Sequence, residues 1–260
     1  RNSRDGSFTD VSTETGLDLA GKWTSAAAAD VNKDSYTDFF FGREDGVGVF
    51  ALSDGRGKFK LSDAPKSTQR ARSAQFLDYD NDGLVDLVVA TTSGVSIVRN
   101  IGSGWTEIEA AVPRDSTIEN SAQSILSGDV DGDGDIDLII SLSDGTARFL
   151  RNVGGELNNA QSGGLKGLVS NRSGLGSKID LRSGSLFQKA ESFSASPMPA
   201  PSQIHFGLGR RISPDVIRVI WPSGVVQAEI EPKRSKAAKL FKTIEVQELD
   251  RKPSSCPYLY

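Results

Sequence analysis

The chain has 260 residues, of which 37% are hydrophobic, and this length suffices for one large domain or two ordinary ones. One cysteine and one histidine exclude an internal disulfide, a cysteine-based zinc site and any site that needs two imidazoles, and no run of about 18 apolar residues predicts a membrane span. Residues 1–150 carry 14 Lys and Arg against 25 Asp and Glu, whereas residues 151–260 carry 16 against 9, so we expect two units, of which the acidic one is a poor nucleic-acid binder.

Short apolar runs recur through the first half of the chain. Each set contains a run that opens with Ser-Ala, a second apolar run, a glycine-containing turn and a third apolar run. The three sets are 25–29, 39–42 and 47–52; 73–77, 87–90 and 95–98; and 121–125, 138–140 and 147–150. Runs of about four to six residues between Gly, Asp and Ser turns are typical of strands, so each set predicts a small antiparallel sheet like a propeller blade.

An aspartate-rich loop separates the first two runs of every set. The loops begin at Asp30, Asp78 and Asp129 and share the pattern D-x-[DN]-x-D-x-x-x-D, at intervals of 48 and 51 residues. Recurrence at such a period indicates a repeat architecture.

The loop pattern suits calcium, which takes roughly six to eight oxygen ligands. Positions 1, 3, 5 and 9 would supply side-chain oxygens, and position 7 a main-chain carbonyl. The predicted ligands are Asp30, Asn32, Asp34, Tyr36 and Asp38 in loop one; Asp78, Asp80, Asp82, Leu84 and Asp86 in loop two; and Asp129, Asp131, Asp133, Asp135 and Asp137 in loop three. We therefore expect up to three Ca²⁺ sites, and solvated Asp/Gly turns without metal are the alternative.

The loops are not EF-hands, because position 12 is Phe41, Val89 or Ile140 rather than a bidentate Glu. Magnesium fits less well than calcium because it tends to keep its waters. Loop one has three acidic ligands and the other two loops have four, so we expect loop one to bind most weakly. The metal is expected to act mainly on structure, by bracing the turn into a strand.

The dipeptide Arg-Asn ends the second and third sets, at residues 99–100 and 151–152, and it also opens the chain at residues 1–2. This recurrence predicts that the chain opens on the tail of a repeat. Three loops are fewer than the blades of an ordinary closed propeller, so we expect a partial propeller.

With Phe41-Gly42 after the first of them, the loops resemble the FG-GAP/VCBS repeats of integrin-α-type propellers over residues 1–155. The resemblance implies calcium binding in these loops and a secreted or cell-surface location, periplasmic or secreted if the protein is bacterial. Asn32 and Ser35 depart from the pattern in loop one.

Strand patterns resume after a Gly-, Asn- and Ser-rich boundary and predict a small β-sandwich or barrel. Segments 171–178, 204–209 and 219–227 resemble the ASPIC/UnbV domain, which follows FG-GAP repeats in cartilage acidic protein and in many bacterial proteins. The predicted organisation is all-β: a repeat region over 1–155, a linker over 156–162, the ASPIC/UnbV domain over 163–247, and a tail over 248–260. We expect the tail to lead into a further segment, where Cys256 would find its partner.

Three functions are compatible with the sequence. We favour a calcium-binding adhesion or scaffolding module, with no enzymatic activity and a protein or glycan partner that the sequence does not identify. The alternatives are a glycan hydrolase that uses the clustered carboxylates and a carbohydrate-binding module in which Trp105, Trp221 or Tyr36 stacks on sugars. His205 lies among apolar residues and glycines and is interpreted as structural rather than catalytic.

Overall fold

The computed structural model describes residues 1–108, 117–119, 121–154, 157–193, 204–232 and 243–250. The first half of the chain forms three consecutive antiparallel sheets. Their strands are β1 (Trp23–Ala29), β2 (Asp38–Arg43), β3 (Val49–Ser53) and β4 (Phe59–Asp63); β5 (Ala71–Leu77), β6 (Asp86–Thr91), β7 (Gly94–Asn100) and β8 (Trp105–Ile108); and β9 (Ala122–Gly128), β10 (Asp137–Leu142) and β11 (Ala147–Leu150). A helix α1 (Ser12–Thr15) precedes β1, and a 3₁₀ turn (Lys66–Thr68) precedes β5.

The sheets stack as propeller blades because alternate residues of each second strand face opposite neighbours. In β6, Leu87 and Val89 belong to the core shared with the first blade, whereas Val88 and Ala90 belong to the core shared with the third blade. A strand that is buried on both faces reads as a continuous apolar run, which explains why the sequence shows no alternation there.

The first strands of the blades, β1, β5 and β9, lie next to one another. The Thr24 hydroxyl donates to the Ala71 carbonyl (2.6 Å), and the Gln75 side-chain amide donates to the Ser127 hydroxyl (2.6 Å). A Cβ on Gly42 would lie 2.4 Å from Ser25 Oγ and 2.8 Å from Ala71 Cβ, so only glycine fits after Phe41 at this contact between blades.

The second half of the chain forms a β-sandwich. Its strands are β12 (Asn159–Lys166), β13 (Lys178–Ser183), β14 (Leu186–Glu191), β15 (Ile204–Gly209), β16 (Val216–Ile220), β17 (Val226–Ile230) and β18 (Thr243–Gln247). One sheet has the order β15-β12-β18 and the other β14-β13-β16-β17, with Trp221 and Leu208 in the core between them. The predicted all-β class, a partial propeller followed by a small sandwich, is confirmed.

The domain boundaries remain a proposal, which the strand bounds refine. β12 begins at Asn159, inside the segment predicted as a linker, and pairs with β15 and β18. Glu248, assigned above to the tail, binds residues 168–170 of the same domain. We propose that the C-terminal domain spans about residues 159–248. Of the predicted tail, residues 251–260, which include Cys256, lie outside the described residues.

Candidate metal centre

All three aspartate loops adopt the same turn, which requires a left-handed backbone at positions 4 and 6. Position 4 is Lys33, Asn81 or Gly132, with φ values of 62°, 58° and 78°. Position 6 is Ser35, Gly83 or Gly134, with φ values of 73°, 93° and 100°. Ser35 has to adopt a conformation that glycine adopts without strain, at a cost of about 1 kcal/mol, so loop one is the least relaxed of the three turns.

The carboxylates at positions 1 and 5 point into the turn because main-chain N–H groups hold them there. In loop two the N–H groups of Asp82 and Gly83 donate to the two oxygens of Asp78 (3.1 and 2.8 Å), and the N–H of Leu84 donates to Asp82 Oδ1 (2.8 Å). Loop one repeats this pattern at Asp30 and Asp34. Local hydrogen bonds therefore direct the carboxylates at positions 1 and 5 into the turn.

The position-9 aspartate is buried in every loop and holds the loop to its blade by hydrogen bonds. Asp86 is 0% exposed, and its oxygens accept from the N–H of Tyr79 (3.1 Å) and from the N–H of Asn100 at the end of β7 (2.7 Å). Asp38 and Asp137 accept equivalent bonds from two N–H groups each. These aspartates join each loop to the third strand of its blade, whatever else they bind.

Side-chain oxygens cluster in two of the three loops. Three ligand atoms lie within 4.8 Å of one another in each group, one made of Asp78, Asp80 and Asp82 and the other of Asp129, Asp131 and Asp137. Among the described residues, loop one forms no such group of three acidic side chains. There the amide of Asn32 donates to Asp34 Oδ2 (2.9 Å). The carboxylate clusters of loops two and three are therefore the stronger candidates for a cation site.

At position 7, the N–H groups of Tyr36, Leu84 and Asp135 all donate to the position-5 aspartate. The Asp135 side chain, 5% exposed, accepts from the Asn81 amide (2.7 Å). That carboxylate therefore serves a contact between loops two and three.

An arginine bridges positions 3 and 5 in loops two and three. Arg99 Nη2 lies 2.7 Å from Asp80 Oδ2 and 2.9 Å from Asp82 Oδ2. Arg151 makes the same pair of contacts with Asp131 (2.5 Å) and Asp133 (3.1 Å). Both arginines open the recurrent Arg-Asn dipeptide. Leu52 occupies the corresponding place in the first blade, before Ser53, whose N–H donates to Asp38.

The asparagine of the dipeptide connects successive blades. Its N–H binds the position-9 aspartate of its own blade, and its side-chain amide donates to position 2 of the preceding loop, from Asn100 to Val31 O (2.8 Å) and from Asn152 to Tyr79 O (2.7 Å). Sequence analysis recognised the dipeptide as a repeat marker but missed these contacts. Its nearly constant distance from the loops, 21 residues from Asp78 to Arg99 and 22 residues from Asp129 to Arg151, was the available signal.

Negative charge accumulates in loop two. Burial, together with the charges of Asp86 and Asp82, raises the pKa of Asp78 well above its usual value. Burial also raises the pKa of Asp86 in the same loop to about 8 and the pKa of Asp38 in loop one to about 6. The main-chain N–H groups that donate to these carboxylates lower both pKa values, but by less than burial raises them. An all-oxygen donor set with excess negative charge fits a hard divalent cation such as Ca²⁺, which would neutralise the repulsion.

We expect the metal-free protein to lose stability as the pH rises. Asp86 and Asp38 have folded pKa values of about 8 and about 6, above the unfolded value of 3.8, so the folded state binds protons more tightly. Their stabilisation is complete below about pH 4 and is lost as the pH passes through these folded values, amounting to a few kcal/mol. Thermal melts of metal-stripped protein between pH 5 and 9 measure the effect. The matched variant Asp86→Asn should flatten the profile, and a melting temperature that rises with pH would contradict the expectation.

The arginine bridge predicts a competition between guanidinium and metal. In Arg99→Gln, we expect calcium to bind about twofold to fivefold more tightly, since the carboxylates of Asp80 and Asp82 lose a competing cation worth up to about 1 kcal/mol. The metal-free protein should melt at a lower temperature for the same reason. Isothermal titration calorimetry measures the first effect. Arg148→Gln is the control, since Arg148 binds the Thr117 hydroxyl instead of a loop carboxylate. Weaker calcium binding in Arg99→Gln would instead indicate that the guanidinium positions the ligands.

The family of the chain follows from two family models that match successive parts of it. The model of the FG-GAP-like repeat matches residues 30–89 and 78–140, so that each match begins at the first aspartate of a loop and ends in the strand after the next loop. The model described as ASPIC and UnbV matches residues 167–245. The chain is an FG-GAP repeat protein with a C-terminal UnbV domain. No match was found among the curated proteins.

Neither the FG-GAP propeller nor the UnbV domain is known as an enzyme family. Burial lowers the pKa of His205 in the UnbV domain to about 4, so its imidazole is neutral near pH 7. His205 Nε2 lies 2.7 Å from Asn81 Oδ1 of loop two, which gives the side chain a role in joining the two domains. In the part of the chain that is described, no helix has the length and apolar character needed to span a membrane.

Proposed function

We propose that this FG-GAP repeat protein is a calcium-binding interaction module that acts outside the cell or at its surface. FG-GAP repeats typically occur in extracellular or surface proteins, which supports this location. The single observation that carries the proposal is the convergence of carboxylates in two loops, at positions 1, 3 and 5 of loop two (Asp78, Asp80 and Asp82) and at positions 1, 3 and 9 of loop three (Asp129, Asp131 and Asp137). In each case the oxygens crowd together on a turn whose shape the main chain already sets.

The metal has a structural role in this proposal. Calcium would be held by the aspartates at positions 1, 3 and 5, with the position-7 carbonyl and the position-9 carboxylate completing the set. When bound, it supplies two positive charges that offset the repulsion among the ligands. Each loop leads directly into the second strand of a blade, so calcium binding would contribute to folding free energy.

A calcium titration of the metal-stripped protein tests the proposal. Calorimetry and thermal melts up to roughly millimolar calcium, the range of weak extracellular sites, should give a saturable heat and a rising melting temperature. Asp80→Asn should weaken binding, whereas Asp144→Asn should not, because Asp144 lies in an exposed turn outside the aspartate loops, where it accepts from the N–H and hydroxyl of Thr146. Binding that is equally strong with magnesium, or no shift at all, would count against calcium.

The ranking of the loops is tested separately. Loop one contains Asn32 at position 3 and Ser35 at position 6, and both residues favour weaker binding. Asp30→Ala should therefore reduce the total calcium affinity less than Asp131→Ala. Equal losses in the two variants would contradict the ranking.

The alternatives receive less support from the site. Trp221 is 1% exposed, and Trp105 is partly buried and stacks on Phe50 with ring centroids 4.5 Å apart, so of the three aromatic residues considered for sugar stacking Tyr36, at 47%, has the largest exposed fraction. The loop carboxylates accept main-chain N–H bonds or pair with arginine, which does not favour a free acid–base pair for glycan hydrolysis.

A further inference from the structure

The UnbV domain contacts loop two directly through strand β15. The N–H of Gly209 donates to the carbonyl of Asn81 (2.8 Å), and His205 Nε2 lies 2.7 Å from Asn81 Oδ1. Between these contacts, a Cβ placed on Gly207 would lie 2.0 Å from Asp78 Oδ2 and 2.6 Å from the carbonyl carbon of Asn81. The strand backbone therefore rests on a proposed calcium ligand and on position 4 of the same loop.

Asn81 joins three elements at once and is 1% exposed. Its amide nitrogen donates to Asp135 Oδ1 (2.7 Å) and to Gly134 O (3.2 Å), both in loop three. Its side-chain oxygen therefore faces His205, and His205 Nε2 carries the hydrogen that it accepts. Nδ1 of the same ring is then the acceptor for the Ser162 hydroxyl, 3.2 Å away. The imidazole therefore connects loop two to strand β12, on which Ser162 lies.

Two further hydrogen bonds also reach main-chain carbonyls of the loops, one from the UnbV domain and one from the segment that precedes it. The Asn158 amide donates to the carbonyl of Asp80 (2.8 Å), and Lys189 Nζ donates to the carbonyl of Ser35 (2.5 Å). These carbonyls belong to positions 3 and 6, whose orientation depends on the turn. The docking surface is thus the set of loop backbone groups at Ser35, Asp80 and Asn81.

We infer that calcium binding at loop two and docking of the UnbV domain are coupled through Asn81 and His205. Both events require the same loop conformation, in which Asn81 is left-handed at φ 58° and the Asp78 carboxylate lies under Gly207. A ligand and a domain that stabilise one shared conformation strengthen each other by the same factor. This inference rests on the proposed calcium site and adds a partner for it within the same chain.

Hydrogen exchange and calorimetry on the whole chain test the coupling. In the wild type, saturating calcium should slow exchange at the amide of Gly209 and in the rest of β15, as well as in loop two. His205→Ala removes the donor to Asn81 and should lower calcium affinity by about tenfold, within the usual range of coupling between sites. His205→Gln, which keeps a side-chain N–H, should recover part of that loss.

The outcomes separate this inference from the proposed function. If calorimetry detects no heat of calcium binding and calcium does not slow hydrogen exchange in loop two, the calcium site itself is overturned. A different result would leave the calcium site in place and overturn the coupling. In that result, calorimetry detects calcium binding and calcium slows hydrogen exchange in loop two but not in β15, and His205→Ala binds calcium as tightly as the wild type. If His205→Ala does not fold, Asn158→Ala tests the coupling at a neighbouring contact, since it removes the part-buried hydrogen bond to Asp80 O and should lower the calcium affinity severalfold; an unchanged affinity in this variant would overturn the coupling.

Discussion

Replacing Glu248 with alanine is expected to destabilise the UnbV domain by about 2–3 kcal/mol, because it removes the charged acceptor of five part-buried hydrogen bonds. The side chain is 1% exposed, and its Oε2 accepts the N–H groups of Leu168 (2.8 Å), Val169 (2.9 Å) and Ser170 (2.8 Å). Its Oε1 accepts the hydroxyls of Ser170 (2.9 Å) and Ser223 (2.8 Å). One carboxylate therefore closes the loop after β12 against the turn before β17.

The pKa of Glu248 predicts how the stabilisation by this side chain depends on pH. Burial alone would raise its pKa, but the bonds from Ser170, Leu168 and Ser223 outweigh burial and lower the pKa to about 2. A folded pKa below the unfolded value of 4.5 means stabilisation that is present above about pH 4.5 and lost as the pH falls towards 2. Glu248→Ala should therefore lose this acid-dependent component.

Calorimetric unfolding of the variants measures the effect. Glu245→Ala is the matched control, because Glu245 lies on β18, three residues before Glu248, and is exposed. Glu248→Gln keeps one acceptor oxygen and should fall between the wild type and alanine. A loss in Glu248→Ala no larger than that in Glu245→Ala would contradict the assigned role.

Replacing Gly207 with alanine is expected to separate the two domains without unfolding either of them. The added Cβ would lie 2.0 Å from Asp78 Oδ2 and 2.6–2.7 Å from main-chain atoms of Asn81. A side-chain oxygen can move aside, but the Asn81 backbone is held by Gly209 and by its own left-handed turn. Overpacking of this kind costs about 1–3 kcal/mol, which is relieved if β15 moves away from the loop.

Small-angle scattering should report a larger radius of gyration for Gly207→Ala, and calorimetry should resolve two transitions in place of a shared one. Gly164→Ala is the control: Gly164 lies on the neighbouring strand β12, and a Cβ there meets nothing within 4 Å. An unchanged radius and an unchanged calcium affinity in Gly207→Ala would show that the interface adapts to the methyl group.

The repeat and its turns are local features, and for that reason the sequence alone predicted them. Alternating aspartates around Gly83 and Gly134 encode a turn through bonds that span two to five residues, and apolar runs such as 87–90 encode the strand that follows. Position 4 was missed because Lys33 gives no sign of a left-handed backbone, although Asn81 and Gly132 do.

The sequence by itself determined the all-β class, the three blades, a small β domain after them and the candidate ligands, because each depends on neighbours in the chain. Tertiary structure alone decided which loops gather three carboxylates, that Arg99 and Arg151 bridge them, and that Asn81 meets His205 across 124 residues. Burial and long-range contacts set the charge balance of these groups. They arise only when distant segments pack, so no local pattern records them.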